Sequence, residues 1–278
     1  MPDVAHLDDL PRTRWTFGHI DGTWTYVSTE KQGGLPSRRA GCRRCVAPHG
    51  AMPVPVHQHL GAEEVFVVLG GDGLAYERDG DGERAYAVSE GDVIVRRANL
   101  EAHAFVAGPG GLDVLAYGPS AAPRAEVFPR IGVVRLRERW LEIDAGVHPW
   151  EREAALGLPE LPAPSAERPA RYVRAEDVRA VDAGPGVEVQ TLGEPAGAVD
   201  VGVRRIVVRP DHADGPRRAH SAVERLVLVR GGSGHVQGAG DTATALRAGS
   251  VVGVRAGTGE AWRIVAGPDG LDLIDLCV

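Results

Sequence analysis

The alternation of apolar and polar residues along the chain predicts many short β-strands. Residues 23–27, for example, alternate cleanly beside a predicted turn at Asp21-Gly22. Glycine and proline account for 37 and 20 of the 278 residues, and they separate the apolar runs. Residues 151–156 predict one helical turn, and residues 133–141 fit either a strand or a short helix. The pattern as a whole is typical of an all-β barrel or sandwich.

The pattern also repeats, which indicates two copies of one structural unit. In chain order, residues 41–47 match 202–208, 64–71 match 224–231, 91–96 match 249–254, and 103–115 match 262–274. A proline-rich stretch lies between the copies and predicts a linker of restricted flexibility. We therefore expect an N-terminal barrel over residues 1–118, a connecting segment over 119–170 and a C-terminal barrel over 171–278. Residues 119–165 could form a lid over the first barrel or a belt between barrels.

Three histidines and a glutamate in the first copy have the spacing of a metal site. His57 and His59 lie two residues apart, so on a strand both side chains leave the same face. Glu64 follows and heads an apolar run, and His103 lies in a later strand. Imidazole and carboxylate together suit a divalent transition metal such as Fe, Mn, Co, Ni, Cu or Zn. Alternation favours Glu63 as a solvated or rim charge, but Glu63 in place of Glu64 would give a shorter ligand spacing, so the choice between them is open.

The spacing His-x-His-x4-Glu-x6-Gly, from His57 to Gly71, resembles the first signature of the cupin superfamily. The stretch from Gly91 to His103 resembles the second signature, with Gly-Asp, an apolar strand and a turn before the histidine. It differs at Arg97, where a proline is usual, and its turn is one residue longer. The resemblance implies a bicupin, with two barrels of the double-stranded β-helix (jelly-roll) type in one chain. It also implies one divalent transition metal, iron favoured, on His57, His59, Glu64 and His103.

For this ligand set, the resemblance implies a metal-dependent dioxygenase or other oxidoreductase acting on a small enol, aromatic or carboxylate substrate. Glu64 and Glu101 are candidate catalytic carboxylates, Arg43 is a candidate anchor for a substrate carboxylate, and Phe66 and Phe105 are candidate pocket walls. Each has an alternative interpretation: Glu101 would be a rim charge, Arg43 a surface residue, and Phe66 and Phe105 residues of the barrel core. The alternative functions are a non-redox isomerase, epimerase or cyclase, and a binding protein for a sugar or small acid.

The second copy has lost part of this ligand set. When the two copies are aligned, His57 falls on Arg217 or Arg218, Glu64 on Glu224 and His103 on Trp262, and His59 falls on His220 if one residue is deleted. An indole cannot replace an imidazole ligand, so we expect a metal-free C-terminal barrel. Oxalate decarboxylase, a bicupin with two well-formed metal sites, is therefore a weaker match.

Composition limits the partners and the compartment. A net charge of −7 argues against nucleic acid or an anionic membrane as partner. The apolar runs have strand length, and the N-terminus lacks the features of a signal peptide. Three cysteines fit a reducing cytoplasm; Cys42 and Cys45 face opposite sides of a strand, which favours core positions over a zinc or redox pair. We expect a cytoplasmic protein with a small-molecule substrate, and pairing of barrels into a homodimer is open.

Overall fold

The computed structural model describes residues 2–28, 33–120, 125–136, 139–141, 147–217, 223–238, 242–257 and 261–278. The strands of the first half are β1 (Asp3–His6), β2 (Arg12–Phe17), β3 (Ile20–Ser28), β4 (Ala40–Ala47), β5 (Gln58–Leu60), β6 (Glu64–Asp79), β7 (Gly82–Ser89), β8 (Asp92–Arg96), β9 (Ala102–Pro119), β10 (Ala125–Phe128), β11 (Val133–Leu136) and β12 (Arg139–Leu141). Those of the second half are β13 (Tyr172–Arg174), β14 (Val181–Gly184), β15 (Val187–Thr191), β16 (Gly202–Val208), β17 (Arg225–Gln237), β18 (Ala243–Arg247), β19 (Ser250–Val254) and β20 (Arg263–Cys277).

Helical structure among these residues is limited to α1 (Pro149–Ala155) and two 3-10 turns, Leu7–Asp9 and Ala175–Asp177. None of the described helices is long and apolar enough to cross a membrane. The predicted helical turn at 151–156 is confirmed, and residues 133–136 and 139–141 are strands. The all-β fold class is confirmed, with two cupin-type barrels in the chain.

The chain forms two compact units. The N-terminal unit comprises Arg12–Thr25 and Arg43–Tyr172, and the C-terminal unit comprises Met1–Pro11, Tyr26–Cys42 and Val173–Val278. Strand β1 belongs to the C-terminal unit because it pairs with β19, with Val4 opposite Val252. The predicted folding of residues 1–118 and 171–278 as separate domains stays a prediction.

Each unit is built on one antiparallel sheet with the same order of equivalent strands. In the N-terminal unit the order from β8 is β8-β6-β9-β4-β3-β2, with β7 against β6. In the C-terminal unit the order from β19 is β19-β17-β20-β16-β15-β14, with β18 against β17. The predicted repeat is therefore a repeat of structure. The N-terminal unit has an additional sheet, β12-β11-β10-β5, formed mostly by the predicted connecting segment.

A glycine corner bends the two longest strands of each unit. The first part of β6 pairs with β8 and its later part with β7, and the β6–β9 register shifts between Val68 and Gly73. Gly71 has φ +77°, and a Cβ atom there would lie 2.1 Å from the carbonyl oxygen of Gly111. Gly232 repeats this corner, since it has φ +84° and a Cβ would lie 2.0 Å from the oxygen of Gly270. Only glycine fits both the dihedral angle and the close approach.

The turn between β2 and β3 lies earlier in the chain than predicted. The β2–β3 turn falls at Gly18, which has φ +56°, and not at Asp21-Gly22. Asp21 is instead a strand residue that accepts hydrogen bonds from Arg14 and Thr16. The Gly-Pro-Gly-Gly run at 108–111 forms the bend within the continuous strand β9.

Inward-facing apolar residues fill both units. In the N-terminal unit they include Phe66, Val68, Ile94, Phe105 and Val114. In the C-terminal unit they include Val227, Val229, Val252, Ile264 and Leu273. On the ligand-bearing parts of these strands, even-numbered positions of β6 before the corner and odd-numbered positions of β9 before its bend therefore face the barrel interior. Glu64 and His103 occupy inward positions of these strands.

Candidate metal centre

The four predicted ligands converge at one end of the N-terminal barrel. One ligand atom from each of His57, His59, Glu64 and His103 lies within 4.8 Å of every other. His59 Nε2 lies 2.7 Å from Glu64 Oε2 and 3.1 Å from His57 Nε2, and His103 Nε2 lies 3.8 Å from Glu64 Oε2. Three imidazoles and a carboxylate this close together are a donor set that suits a divalent transition metal.

Short strand pairings hold the ligands in place. His57 and His103 form an isolated antiparallel bridge, so the segment that carries both N-terminal histidines is fastened to β9. His59 lies in β5, which pairs with β10 of the additional sheet. Glu64 begins β6 and lies opposite Arg96 of β8. Local alternation explains the shared face of His57 and His59, and long-range pairing brings Glu64 and His103 to them.

The hydrogen bonds and pKa values of the cluster suit metal binding. Nδ1 of His57 donates to the carbonyl oxygen of Pro55 at 2.9 Å, which leaves the lone pair on Nε2 facing the other ligands. Burial, with the neighbouring His59, lowers the pKa of His57 to about 4. Burial likewise lowers the pKa of His103 to about 3, and neither of its ring nitrogens has a hydrogen-bond partner among the described residues. An imidazole binds a metal through the lone pair of a neutral ring, so these low pKa values favour metal binding.

The carboxylate of the cluster is ionised. Burial acts to raise the pKa of Glu64, but His59 and His103 hold it well below its ordinary value. By its distances to the histidines, Glu64 and not Glu63 belongs to the cluster. The expectation that Glu63 is a solvated or rim charge is wrong, since only 4% of this residue is exposed.

A small cavity of about 60 Å³ adjoins the cluster. All four ligands line it, together with the predicted substrate-binding residues Arg43, Phe66 and Phe105. Its remaining walls are mostly apolar: Trp24, Cys45, Pro53, Val54, Ala104, Val114 and Ala116. The structure therefore brings the predicted wall residues to the site, and their role toward a substrate stays a prediction. A cavity of this size admits only a small molecule or a few waters.

Glu101 does not line this cavity. It is buried, and its Oε1 atom lies 3.4 Å from Nη1 of Arg96. Arg96 also donates to Glu77 and to the hydroxyl of Tyr172, so Glu101 belongs to a buried network of charges beside the ligands. The catalytic role of Glu101 stays a prediction.

Two polar residues of the cavity wall were not predicted from the sequence. Glu126 of β10 lies opposite His59 in the strand register, and Arg135 of β11 is its ion-pair partner. Burial acts to raise the pKa of Glu126, but Arg135 and the nearby His59 lower it to about 2. Both side chains line the cavity. They come from the segment 119–170, in which no motif marks them.

Cys42 and Cys45 are core residues, as predicted. They form no disulfide and are buried, with exposed fractions of 0% and 7%. Burial raises the pKa of Cys45 to about 12, so its thiol stays protonated in the cavity wall. A protonated thiol is a poor metal ligand and nucleophile.

The structure corrects the alignment of the second copy by one residue. Val68 pairs with Val114 just before the N-terminal corner, and Val229 pairs with Leu273 just before the C-terminal one. Val68 is therefore equivalent to Val229, and Glu64 falls on Arg225 rather than Glu224. The positive charge of Arg225 opposes a cation at this position. Glu224 instead accepts hydrogen bonds from Ser37 and from the backbone of Arg38 and Arg39.

The remaining second-copy positions also differ from the first. His103 falls on Trp262, which is buried in the apolar core of the C-terminal unit. Arg217 is exposed, and Arg218 and His220 lie outside the described residues.

No protein-family model and no curated protein sequence matches the chain. Solved structures of oxalate decarboxylases match its fold. The formate complex of the Lactobacillus farciminis enzyme matches with a TM-score of 0.68 at 14% identity, over 99% of this chain and 85% of that chain. A single-residue variant of the Bacillus subtilis enzyme matches with a TM-score of 0.68 at 15% identity, over 98% and 76% of the two chains. At these identities the likeness shows the cupin-type fold alone.

Proposed function

We propose that this protein is a mononuclear-metal enzyme of the cupin type that transforms a small organic substrate, with a dioxygenase or other oxidoreductase reaction as the first candidate. The observation that carries the proposal is the convergence of His57, His59, Glu64 and His103 beside a small cavity. The ligands of a purely structural metal need no such cavity. A site that keeps space next to its ligands is suited to catalysis.

The four ligands would hold one divalent transition metal, for which iron is the first candidate. When bound there, the metal supplies Lewis acidity and, if it is redox-active, electron transfer. The protein's own residues provide the surroundings. His57, fixed by Pro55, presents Nε2 in one orientation. The low pKa of Glu64 favours its role as an anionic ligand over the predicted role of catalytic carboxylate, because a weakly basic carboxylate is a poor proton acceptor.

The aromatic walls would exclude water from the reacting groups. Phe66 and Phe105 pack edge to face, with ring centroids 4.9 Å apart, and Phe66 also contacts the ring of His103. Together with Trp24 they make one side of the cavity apolar. Excluding water strengthens the electrostatic interactions inside such a site and protects reactive species from hydrolysis.

The second candidate is a non-redox, metal-dependent reaction such as decarboxylation of a small acid. The structural neighbours, which are oxalate decarboxylases, favour it. A second metal site is disfavoured, because the second copy has Arg225 and Trp262 at the positions of the carboxylate Glu64 and the imidazole His103. A one-site decarboxylase agrees with both observations.

Turnover measurements separate these candidates. The chain, purified without chelators and loaded in turn with Fe(II), Mn(II) and Zn(II), is supplied with catechols, enediols, oxalate and malonate. Oxygen consumption and carbon dioxide release are both recorded. Oxygen uptake with the iron form supports the dioxygenase, and carbon dioxide release without oxygen uptake supports the second candidate. His57→Ala should abolish either activity, while the exposed His49→Ala should retain it. A metal-loaded protein that binds these compounds without turnover contradicts the proposal and indicates a binding protein.

A further inference from the structure

The second barrel carries a carboxylate of its own at the place equivalent to the cavity. Asp275 of β20 is 1% exposed. Its Oδ2 atom accepts hydrogen bonds from Nη2 of Arg204 and Nη1 of Arg225, each at 2.5 Å. Two guanidinium groups therefore surround one buried carboxylate, an arrangement in which charge-assisted hydrogen bonds offset the cost of burial.

The strand register identifies the first-copy equivalents of these residues. Phe66 pairs with Ala116 in the N-terminal unit, and Val227 pairs with Asp275 in the C-terminal unit. Because Phe66 and Val227 are equivalent, Ala116 is the equivalent of Asp275. The matched blocks 41–47 and 202–208 make Arg43 the equivalent of Arg204.

An outward-facing ion pair supports this equivalence. Arg44 holds Asp113 with Nε···Oδ1 2.9 Å, and Arg205 holds Asp272 with the same atoms at 2.9 Å. Both copies therefore keep the outer pair of these strands unchanged. On the inward face the arginine is kept, but the carboxylate is replaced by the methyl group of Ala116.

Arg43 and Ala116 line the same cavity as the metal ligands. The guanidinium carbon of Arg43 lies 5.3 Å from the centroid of the Trp24 ring, which orients the group against an apolar wall. At this position the second barrel has the carboxylate of Asp275, whereas the first has the methyl group of Ala116 in the cavity wall.

We propose that Arg43 binds the carboxylate of a small organic acid in the space that the Asp275 side chain takes in the second copy. The carboxylate lies beside Ala116, so the rest of the molecule extends toward His57, His59 and His103. A planar guanidinium recognises a carboxylate by paired hydrogen bonds, which gives direction as well as charge. This inference rests on the proposed function only in taking the acid to be the substrate of that site.

Calorimetric titration with malonate tests the proposal, with malonamide as the uncharged analogue. The decisive variant is Ala116→Asp, which restores the second copy's carboxylate beside Arg43. Its dissociation constant for malonate should rise by about tenfold to a hundredfold, the range expected for losing hydrogen bonds to a charged group. Ala116→Asn has nearly the same size without the charge, and it should stay within about threefold of the original protein. Arg43→Gln should weaken binding as Ala116→Asp does.

The outcomes distinguish this inference from the proposed function, because metal content is measured on every sample and the titration is repeated without metal. Unchanged malonate binding in Ala116→Asp overturns the inference while the proposed function stands. Equal weakening by Asp and Asn, or equal binding of malonamide, also overturns it, because bulk rather than charge then governs the site. Charge-dependent malonate binding in a chain that binds no metal keeps the carboxylate site and contradicts the proposed function.

Discussion

The backbones of His57 and His103 are hydrogen-bonded to each other in both directions, with N···O distances of 3.0 and 2.7 Å. This bridge fastens the His-x-His segment to β9 without using either imidazole. Either of these two imidazoles can therefore be removed while the backbone bridge stays.

His57→Ala should abolish metal binding and leave the fold intact. The lost imidazole is one of four ligands, while the bridge to His103 depends on backbone atoms only. We expect a loss of metal affinity of at least about a hundredfold, because the site loses a first ligand rather than an outer partner, whose loss costs about 10–100-fold. Equilibrium dialysis measures the affinity, and far-ultraviolet circular dichroism measures the fold. His49→Ala is the control that should change neither, and metal retained by His57→Ala would contradict the ligand assignment.

Asp275→Asn should destabilise the C-terminal barrel strongly. The substitution leaves Arg204 and Arg225 without their shared buried carboxylate, which typically costs about 3–5 kcal/mol of unfolding free energy. Urea unfolding at pH 7 provides the measurement. Asp272→Asn is a matched control on the outer face of the same strand, where a quarter of the Asp272 side chain is exposed, and it should cost about 1 kcal/mol or less. Equal effects of the two substitutions would contradict the buried role of Asp275.

Glu77→Gln should destabilise the protein in a pH-dependent way. Glu77 is fully buried and accepts hydrogen bonds from Arg96, Tyr172 and Arg171. Burial acts to raise its pKa, but Arg96 and the other two donors hold the pKa below its ordinary value. The ionised form therefore stabilises the folded state above the ordinary glutamate pKa, and this stabilisation is lost as the pH falls through the lower folded value.

The difference in unfolding free energy between the two proteins should accordingly be about 3–5 kcal/mol at pH 7 and should narrow as the pH falls below about 4. Chemical unfolding over this pH range measures it. Glu83→Gln, at a side chain that is 41% exposed, should show little change at either end. A difference that widens on acidification would mean that Glu77 is protonated in the folded protein.

Gly71→Ala should be far more damaging than Gly80→Ala. At Gly71 a new methyl group meets the carbonyl oxygen of Gly111 at 2.1 Å, and φ is +77°. A left-handed non-glycine residue alone costs about 1–3 kcal/mol, and the contact with Gly111 adds to it. Gly80 has open space around its Cβ position. Melting temperatures of the two variants test this, and equal values would contradict the corner described for β6 and β9.

The sequence was sufficient for the all-β fold because the fold depends on local patterns, whereas the set of four ligands was predicted from the resemblance to the two cupin signatures. Strand alternation places His57 and His59 on one face, and the glycines at 70–71 and 231–232 mark the corner that recurs in both copies. The repeat of the apolar runs further predicts two barrels of the same kind. These features need no knowledge of which strands meet.

The features that the sequence missed depend on long-range register. Glu63-Glu64 and Glu224-Arg225 each contain a glutamate, so the repeat could be aligned in two ways until the corner glycines were matched in space. The Glu126 side chain lines the cavity because β10 pairs with β5, a strand that lies far earlier in the chain. Glu77 looks like an ordinary charged strand residue until Arg96, Arg171 and Tyr172 are seen to enclose it.

The metal content of the protein tests the central claim most directly. The chain is saturated with Fe(II), Mn(II) or Zn(II), freed of excess metal by gel filtration and measured by inductively coupled plasma mass spectrometry. We predict about one metal per chain in the original protein, about one in the second-copy variant Trp262→Phe, and almost none in His103→Ala. Two metals per chain, or none with any of the three ions, would contradict a single site formed by His57, His59, Glu64 and His103.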